Sequence, residues 1–193
     1  NENPRLRDIT DALLMELSTG RWMYAHGDSF ESHGYSYTIP APTMVTELDR
    51  MFWSIEFNGH PMHLMNDAYS HLVDTSSNTG GIFIFNSSTY SISRIITSQL
   101  DAYVDIGNRI LRDRPETRTD FEHAGRGNIL HLFPYDIAAA VPIAQAAGII
   151  ITDAYGNSFD DMSLTDISAE NQRSCIAAST PELHEQLLTA IRW

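Results

Sequence analysis

Lysine is absent from this sequence: all twelve basic residues are arginines, set against 25 acidic ones for a formal net charge of −13. A surface so acidic repels phosphate backbones and anionic lipid, so neither nucleic acid nor membrane is expected as a partner. There is a single cysteine, Cys175. It excludes an intrachain disulfide and suits a reducing compartment, hence an expected cytoplasmic location. No apolar run approaches the length of a membrane span, and no charged-then-apolar leader opens the chain. A phosphate-binding P-loop, a dinucleotide glycine fingerprint, a Gly-x-Ser-x-Gly elbow and an HExxH helix are all missing. The start, Asn1-Glu2-Asn3-Pro4, has no initiator methionine, which leads us to expect a trimmed chain. What is present is 42% apolar and 10% aromatic over 193 residues. That composition is globular and long enough to bury one core, so 1–193 is read as a single domain.

The most informative stretch is 128–156. Asp136 suits the N-terminal end of an alanine-rich helix, and Gly148 suits its stop. Pro142 falls inside and should kink the helix or delay its regular part. The β-branched run 149–152 then reads as a buried strand. Earlier, 11–17 and 21–25 flank Ser18-Thr19-Gly20 as a hairpin. An edge strand is expected at 33–39, stopped by Pro40 and Pro42, and strand-like residues follow at 44–48 and 50–57. Met62, Met65, Ala68, Tyr69 and Leu72 recur at helical spacing over 61–73. After a polar loop, 81–85 is a strand, 86–89 supplies cap chemistry, and Ile92, Ile95, Ile96 and Leu100 mark a helix. Further strands are expected at 101–105 and 175–178. Thr180 caps a last helix with Pro181 at its first position and Leu183, Leu187, Leu188 and Ile191 on its apolar face. This order predicts an α/β fold: a mixed sheet of about five strands, layered with helices near 87–99, 136–147 and 181–191.

Several polar groups invite a chemical reading. Arg109, Arg112, Arg114, Arg118 and Arg126 cluster in a segment at about 106–128. It reads as a solvated helix-and-loop insertion, with a recognition patch for phosphate or carboxylate as the sharper alternative. His60 and His63 read as surface histidines, because Pro61 breaks the helix that would aim both at one metal. His131 reads as a satisfied core residue and Cys175 as a structural thiol. Asp136 is either a helix N-terminal residue or a ligand.

Two motifs resemble a known family. Tyr135-Asp136-Ile137-Ala138-Ala139-Ala140 is similar to the Trp-Asp-x-Ala-Ala/Gly-Gly/Ala signature of inositol monophosphatase-like enzymes, with Tyr135 in place of tryptophan. The Glu-Ala-Gly-Gly that follows in the family reads Ala146-Ala147-Gly148-Ile149 here. Upstream, a strand, a small polar cap, a helix and Asp101-Ala102-Tyr103-Val104-Asp105 resemble the family's Gly-Ser/Thr-Ala helix and Asp-Ala-Tyr-x-Glu strand. Asn86 stands at the glycine and Ser87 at the Ser/Thr. The hairpin at 16–27 and the closing strand and helix also follow the family's order. The resemblance spans about 12–192, with specific motifs at 86–105 and 135–156. It implies the C-terminal half of that fold, and a role in a magnesium-dependent phosphomonoesterase acting on a phosphorylated small molecule of the inositol, sugar or nucleotide phosphate class. Asp136 would be a Mg²⁺ ligand, Ser87 and Ser88 would orient substrate or phosphate, and Asp105 would accept substrate hydroxyls. The family's other ligand motifs, an N-terminal Glu-Glu pair and Asp-Pro-Ile-Asp-Gly-Thr, do not occur here. The resemblance therefore implies a chain inactive alone, completed by a missing N-terminal half, a partner subunit or a second copy. The alternatives are a non-catalytic binding or oligomerisation module derived from the fold, and an interaction protein.

Overall fold

Short alternating strands joined by tight turns build the first layer. The structure, a computed structural model, describes residues 3–193. Strands β1 (Asp11–Glu16), β2 (Arg21–His26) and β3 (Ser29–His33) form an antiparallel meander in that order. Ala12, Met23 and Ala25 face inward. The expected strand at 33–39 lies earlier: Gly34 takes a φ of +83° beside Arg21, and the chain leaves the sheet there. The residues at 44–48 form no strand, and the expectation at 50–57 narrows to four residues.

The second sheet contains β4 (Phe52–Ile55), β5 (Gly81–Phe83), β6 (Ala102–Asp105), β7 (Ile150–Thr152) and β8 (Cys175–Ala178), in the order β5-β4-β6-β8-β7. β4 is parallel to β5 and β6, while β8 is antiparallel to β6 and β7. Parallel neighbours need crossovers. Helices α1 (Met62–Ser76) and α2 (Ser88–Ile96) provide them. β6 and β8 are buried at every residue, so both faces carry apolar side chains with a period of two. Tyr103, Cys175 and Ala177 join a core with Ile92, Ile95 and Ile96 of α2 and with the strands β1 and β2 beyond. Val104, Ile176 and Ala178 join another with Leu64, Met65, Ala68 and Leu72 of α1.

The alanine-rich segment is not one helix. It splits into α5 (Pro134–Ile137) and α6 (Ala140–Ala146), and α6 packs in the first core. Pro142 lies in the first turn of α6, where its missing N–H leaves no bond unmade, and the break just before it spares the carbonyl of Ala138 a clash with its ring. Between β6 and this segment run α3 (Gly107–Asp113), a 3-10 turn (Pro115–Thr117) and α4 (Arg118–Ala124). This stretch is more than a solvated insertion, because Ile110 and Phe121 are buried in the second core. The final helix, Pro181–Ala190, starts as expected: Thr180 accepts the Leu183 N–H and Pro181 follows it. Among the described residues no helix is long and apolar enough to cross a membrane.

Candidate active site

The carboxyl ends of the three parallel strands meet one cavity, the usual place for a ligand in an open α/β sheet. Glu56 follows β4, Asn86 and Ser87 follow β5, and Asp105 ends β6. Residues 130–133, 135 and 136 close the cavity, whose volume is about 370 Å³. Ser87, Ser88, Asp105 and Asp136, the four residues singled out in the sequence, all line it.

The first turn of α2 is tied to α5. Ser87 caps α2 by accepting the Tyr90 N–H at 3.4 Å. Ser88 Oγ donates to the Asp136 carbonyl at 3.4 Å, and Thr89 Oγ1 donates to the same oxygen. The hydroxyls of Ser88 and Thr89 are thus spent on holding the two helices together. Asn86 has a φ of +51°, the left-handed conformation a glycine adopts freely and asparagine tolerates. Its Oδ1 accepts the Phe57 N–H at 3.4 Å. Asp136 is the third residue of α5, and its Oδ2 accepts the Phe133 N–H at 2.9 Å. Its Oδ1 makes no hydrogen bond among the described residues. Half-burial raises the Asp136 pKa, and the Phe133 N–H opposes the rise. Tyr135 stacks on Phe133 at 5.2 Å and is 70% exposed.

Deeper in the cavity stands a chain of buried groups. Burial pushes the Asp105 carboxyl up to about 7, the Asp136 charge adds to this, and the Gly107 N–H at 3.1 Å opposes it. His60 Nε2 lies 3.8 Å from Asp105 Oδ1. His60 Nδ1 is 3.3 Å from the Glu56 carbonyl, which only accepts, so we assign the ring proton to Nδ1. Burial lowers the His60 pKa, leaving a neutral ring with a bare Nε2. His131 Nδ1, 3.4 Å away, then donates to it. His131 is itself pushed down to about 3, chiefly by burial, so with Nδ1 donating its Nε2 is a bare acceptor, buried and without a partner among the described residues. Phe121 meets both rings edge-on, at 6.0 and 5.1 Å.

This corrects two expectations. His63 is exposed, 3.9 Å from Asp120, as a surface histidine should be, but His60 is buried against Asp105. His131 is a core residue with only one of its ring nitrogens satisfied. Glu56 and Thr89 were not singled out. The one signal for Glu56 is its place directly after an apolar strand.

Glu56, Asp105 and Asp136 are hard oxygen donors of the kind Mg²⁺ takes. Burial is the main cause raising the pKa of all three, most at Asp105. Among the described residues no three His, Cys, Asp or Glu side chains are arranged to hold an ion. These donors do not make a magnesium site by themselves. Asp136 keeps one carboxylate oxygen without a hydrogen bond among the described residues.

Residues 38–192 match the model of the inositol monophosphatase family. No curated protein matches the sequence. Among solved structures, a hypothetical protein from Pyrococcus horikoshii, described as having similarities to inositol-1 monophosphatase, is 22% identical with a TM-score of 0.62, over 97% of this chain and 59% of that one. Inositol monophosphatase II from Staphylococcus aureus is 14% identical with a TM-score of 0.62, over 94% of this chain and 54% of that one. The Thermotoga maritima inositol monophosphatase gives 14% and 0.60, over 94% and 55%. These likenesses show the fold, and the chain spans little more than half the length of the structures it resembles. With most of its length matched by the family model, the chain belongs to the inositol monophosphatase family.

Proposed function

We propose that this chain is the C-terminal part of a magnesium-dependent phosphomonoesterase acting on a phosphorylated small molecule. Family membership suggests a phosphatase of the inositol monophosphatase type. The observation that carries the finer reading is that Ser87, Ser88, Asp105 and Asp136, from two motifs far apart in sequence, line one cavity. In this reading Asp136 gives its free Oδ1 to the metal. The backbone N–H groups at the start of α2 face the phosphate, where a helix N-terminus favours an anion. Asp105 accepts a substrate hydroxyl deep in the cavity. Mg²⁺ would neutralise phosphate charge and activate water. Its other ligands would come from an N-terminal half, a partner subunit or a second copy, so no step is assigned to the chain by itself. Buried Cys175 suits a reducing, cytoplasmic setting.

The incomplete donor set favours a second reading, a non-catalytic binding or oligomerisation module. Activity separates the two. The 193-residue chain should show no magnesium-dependent phosphomonoesterase turnover, whereas the full-length protein containing it should. Inactivity of both, with magnesium present and a panel of inositol, sugar and nucleotide phosphates, would support the module instead.

A further inference from the structure

His131 lines both the acidic cavity and a second hollow that carries arginines. That hollow is a cavity of about 340 Å³ lined in part by Arg112, His131 and Gln172. Next to that is one of about 510 Å³ lined in part by Arg112, Arg173, Asn157 and Ser158. Asn108 and Arg112 line both. They sit one turn apart on α3 and so share a face.

Arg112 is exposed and Arg173 half-buried, and their guanidiniums meet main-chain carbonyls rather than acids. Arg112 Nη2 donates to the Glu170 carbonyl at 3.2 Å, and Arg173 Nη1 donates to the same carbonyl at 2.8 Å and to that of Gln172 at 3.0 Å. The two nitrogens are therefore no farther apart than the sum of their distances to that shared oxygen. Neither guanidinium is paired with a carboxylate among the described residues. Burial lowers the Arg173 pKa, and the nearby Arg112 charge lowers it further. The acids bordering the hollow are committed elsewhere. Asp153 accepts from the N–H groups of Tyr155 and Asn157 and from Asn157 Nδ2, and Asp161 is held by Arg7 and Arg5. Arg118, also on the rim, is paired with Glu122, while Glu170 offers the groove an exposed carboxylate.

Polar groups nearby are also unspent. Asn108 is only 5% exposed, yet its amide makes no hydrogen bond among the described residues. Gln172 Oε1 and His131 Nε2 are buried and lack partners among the described residues. Two close cations and an idle amide describe a receptor for an oxyanion. Arginine is the side chain best shaped to grip a phosphate or carboxylate through paired N–H groups.

We propose that Arg112 and Arg173, with Asn108 between them, form a second site that binds the phosphate or carboxylate group of a small molecule, separate from the acidic cavity. The proposal does not rest on the phosphatase reading, because without metal the acidic cavity repels anions.

Titration calorimetry and amide NMR on the 193-residue chain, at low salt with EDTA present, test it. Inorganic phosphate probes one chemistry and malonate the other. At least one should bind with a Kd of about 1 mM or tighter and shift the amide signals of Asn108, Arg112, Asn157 and Arg173. Arg112→Gln and Arg173→Gln should each weaken binding tenfold or more, whereas Arg114→Gln, which changes a partly exposed arginine paired with Glu116, and Asp136→Asn should not. No saturable binding of either probe, undiminished binding by the double variant, or shifts confined to 86–89 and 133–136 would overturn the proposal. The map on the unsubstituted chain decides the matter even if a variant fails to fold.

Discussion

The acidic cavity and the arginine groove sit back to back on His131 and are built on one plan with opposite charges. On one side Glu56, Asp105 and Asp136 converge at strand ends, each with a pKa raised mainly by burial. On the other, Arg112 and Arg173 crowd one carbonyl without an ion pair to a carboxylate among the described residues, although the charges of Asp153 and Asp166 act on Arg173 from nearby. Like charges held together by a fold cost stability unless something of the opposite sign arrives, so such clusters are pointers to ligands. The difference lies in how each is assembled. The acids come from framework strands and motifs shared with the family, whereas Arg112 belongs to the 106–128 stretch.

The largest expected effect lies on the acidic side. In the full-length protein Asp136→Asn should lower magnesium-dependent phosphatase activity by a hundredfold or more, with a stability change of about 1 kcal/mol or less. Turnover and thermal midpoint on one preparation check both halves. An equally active variant would reduce Asp136 to a helix-end residue.

The shared wall comes next. Phe121 is fully buried between the two histidine rings and the second core, so Phe121→Ala should cost about 3–5 kcal/mol by urea denaturation. A loss well under 1 kcal/mol would return the 106–128 stretch to a solvated insertion.

Titration sharpens the contrast further. Asp105 holds its proton up to about pH 7 in the folded state against an ordinary value of 3.8, so its contribution to stability is full below pH 3.8 and lost as pH rises to 7. His131 runs the other way: lowered from 6.5 to about 3, it contributes above pH 6.5 and loses that contribution as pH falls. The two slopes oppose each other between those limits. Asp105→Asn removes the falling one, worth at most about 4 kcal/mol, so the variant's stability should climb with pH where the parent's stays flatter. Urea midpoints across the window test this, and identical profiles would contradict the burial of an ionisable Asp105.

A smaller effect is expected at Gly107. A Cβ there would stand 2.3 Å from His60 Nε2. Gly107→Ala should therefore displace the ring and cost about 1–3 kcal/mol, with a shifted His60 imidazole signal in NMR. An unshifted ring would mean that the cavity wall yields elsewhere.

Local chemistry was legible in the sequence. The Ser87 and Thr180 caps, the strands ending at Asp105 and Ala178, and the layered order follow from spacing and cap residues. The shared cavity of Asp105 and Asp136 follows only from motif order. Long-range partners were not legible: His60 and His131 are 71 positions apart, and nothing near Pro61 says that the preceding ring turns inward. Phe121 is one aromatic in a polar stretch, too little for periodicity to mark as core. The shift of β3 turns on Gly34, whose positive φ is set by its fit against Arg21. Asn86 stands where the resemblance has glycine, and its backbone is left-handed, a conformation glycine adopts freely.

Asp136 is proposed as one metal ligand in an incomplete site. Manganese, a paramagnetic substitute for magnesium, tests this on the 193-residue chain without requiring activity. Titrated at low concentration, it should broaden the amide signals of 86–89 and 133–138 first, and Asp136→Asn should abolish that pattern while leaving the spectrum folded. Broadening that persists in the variant, or that begins elsewhere, would contradict the account.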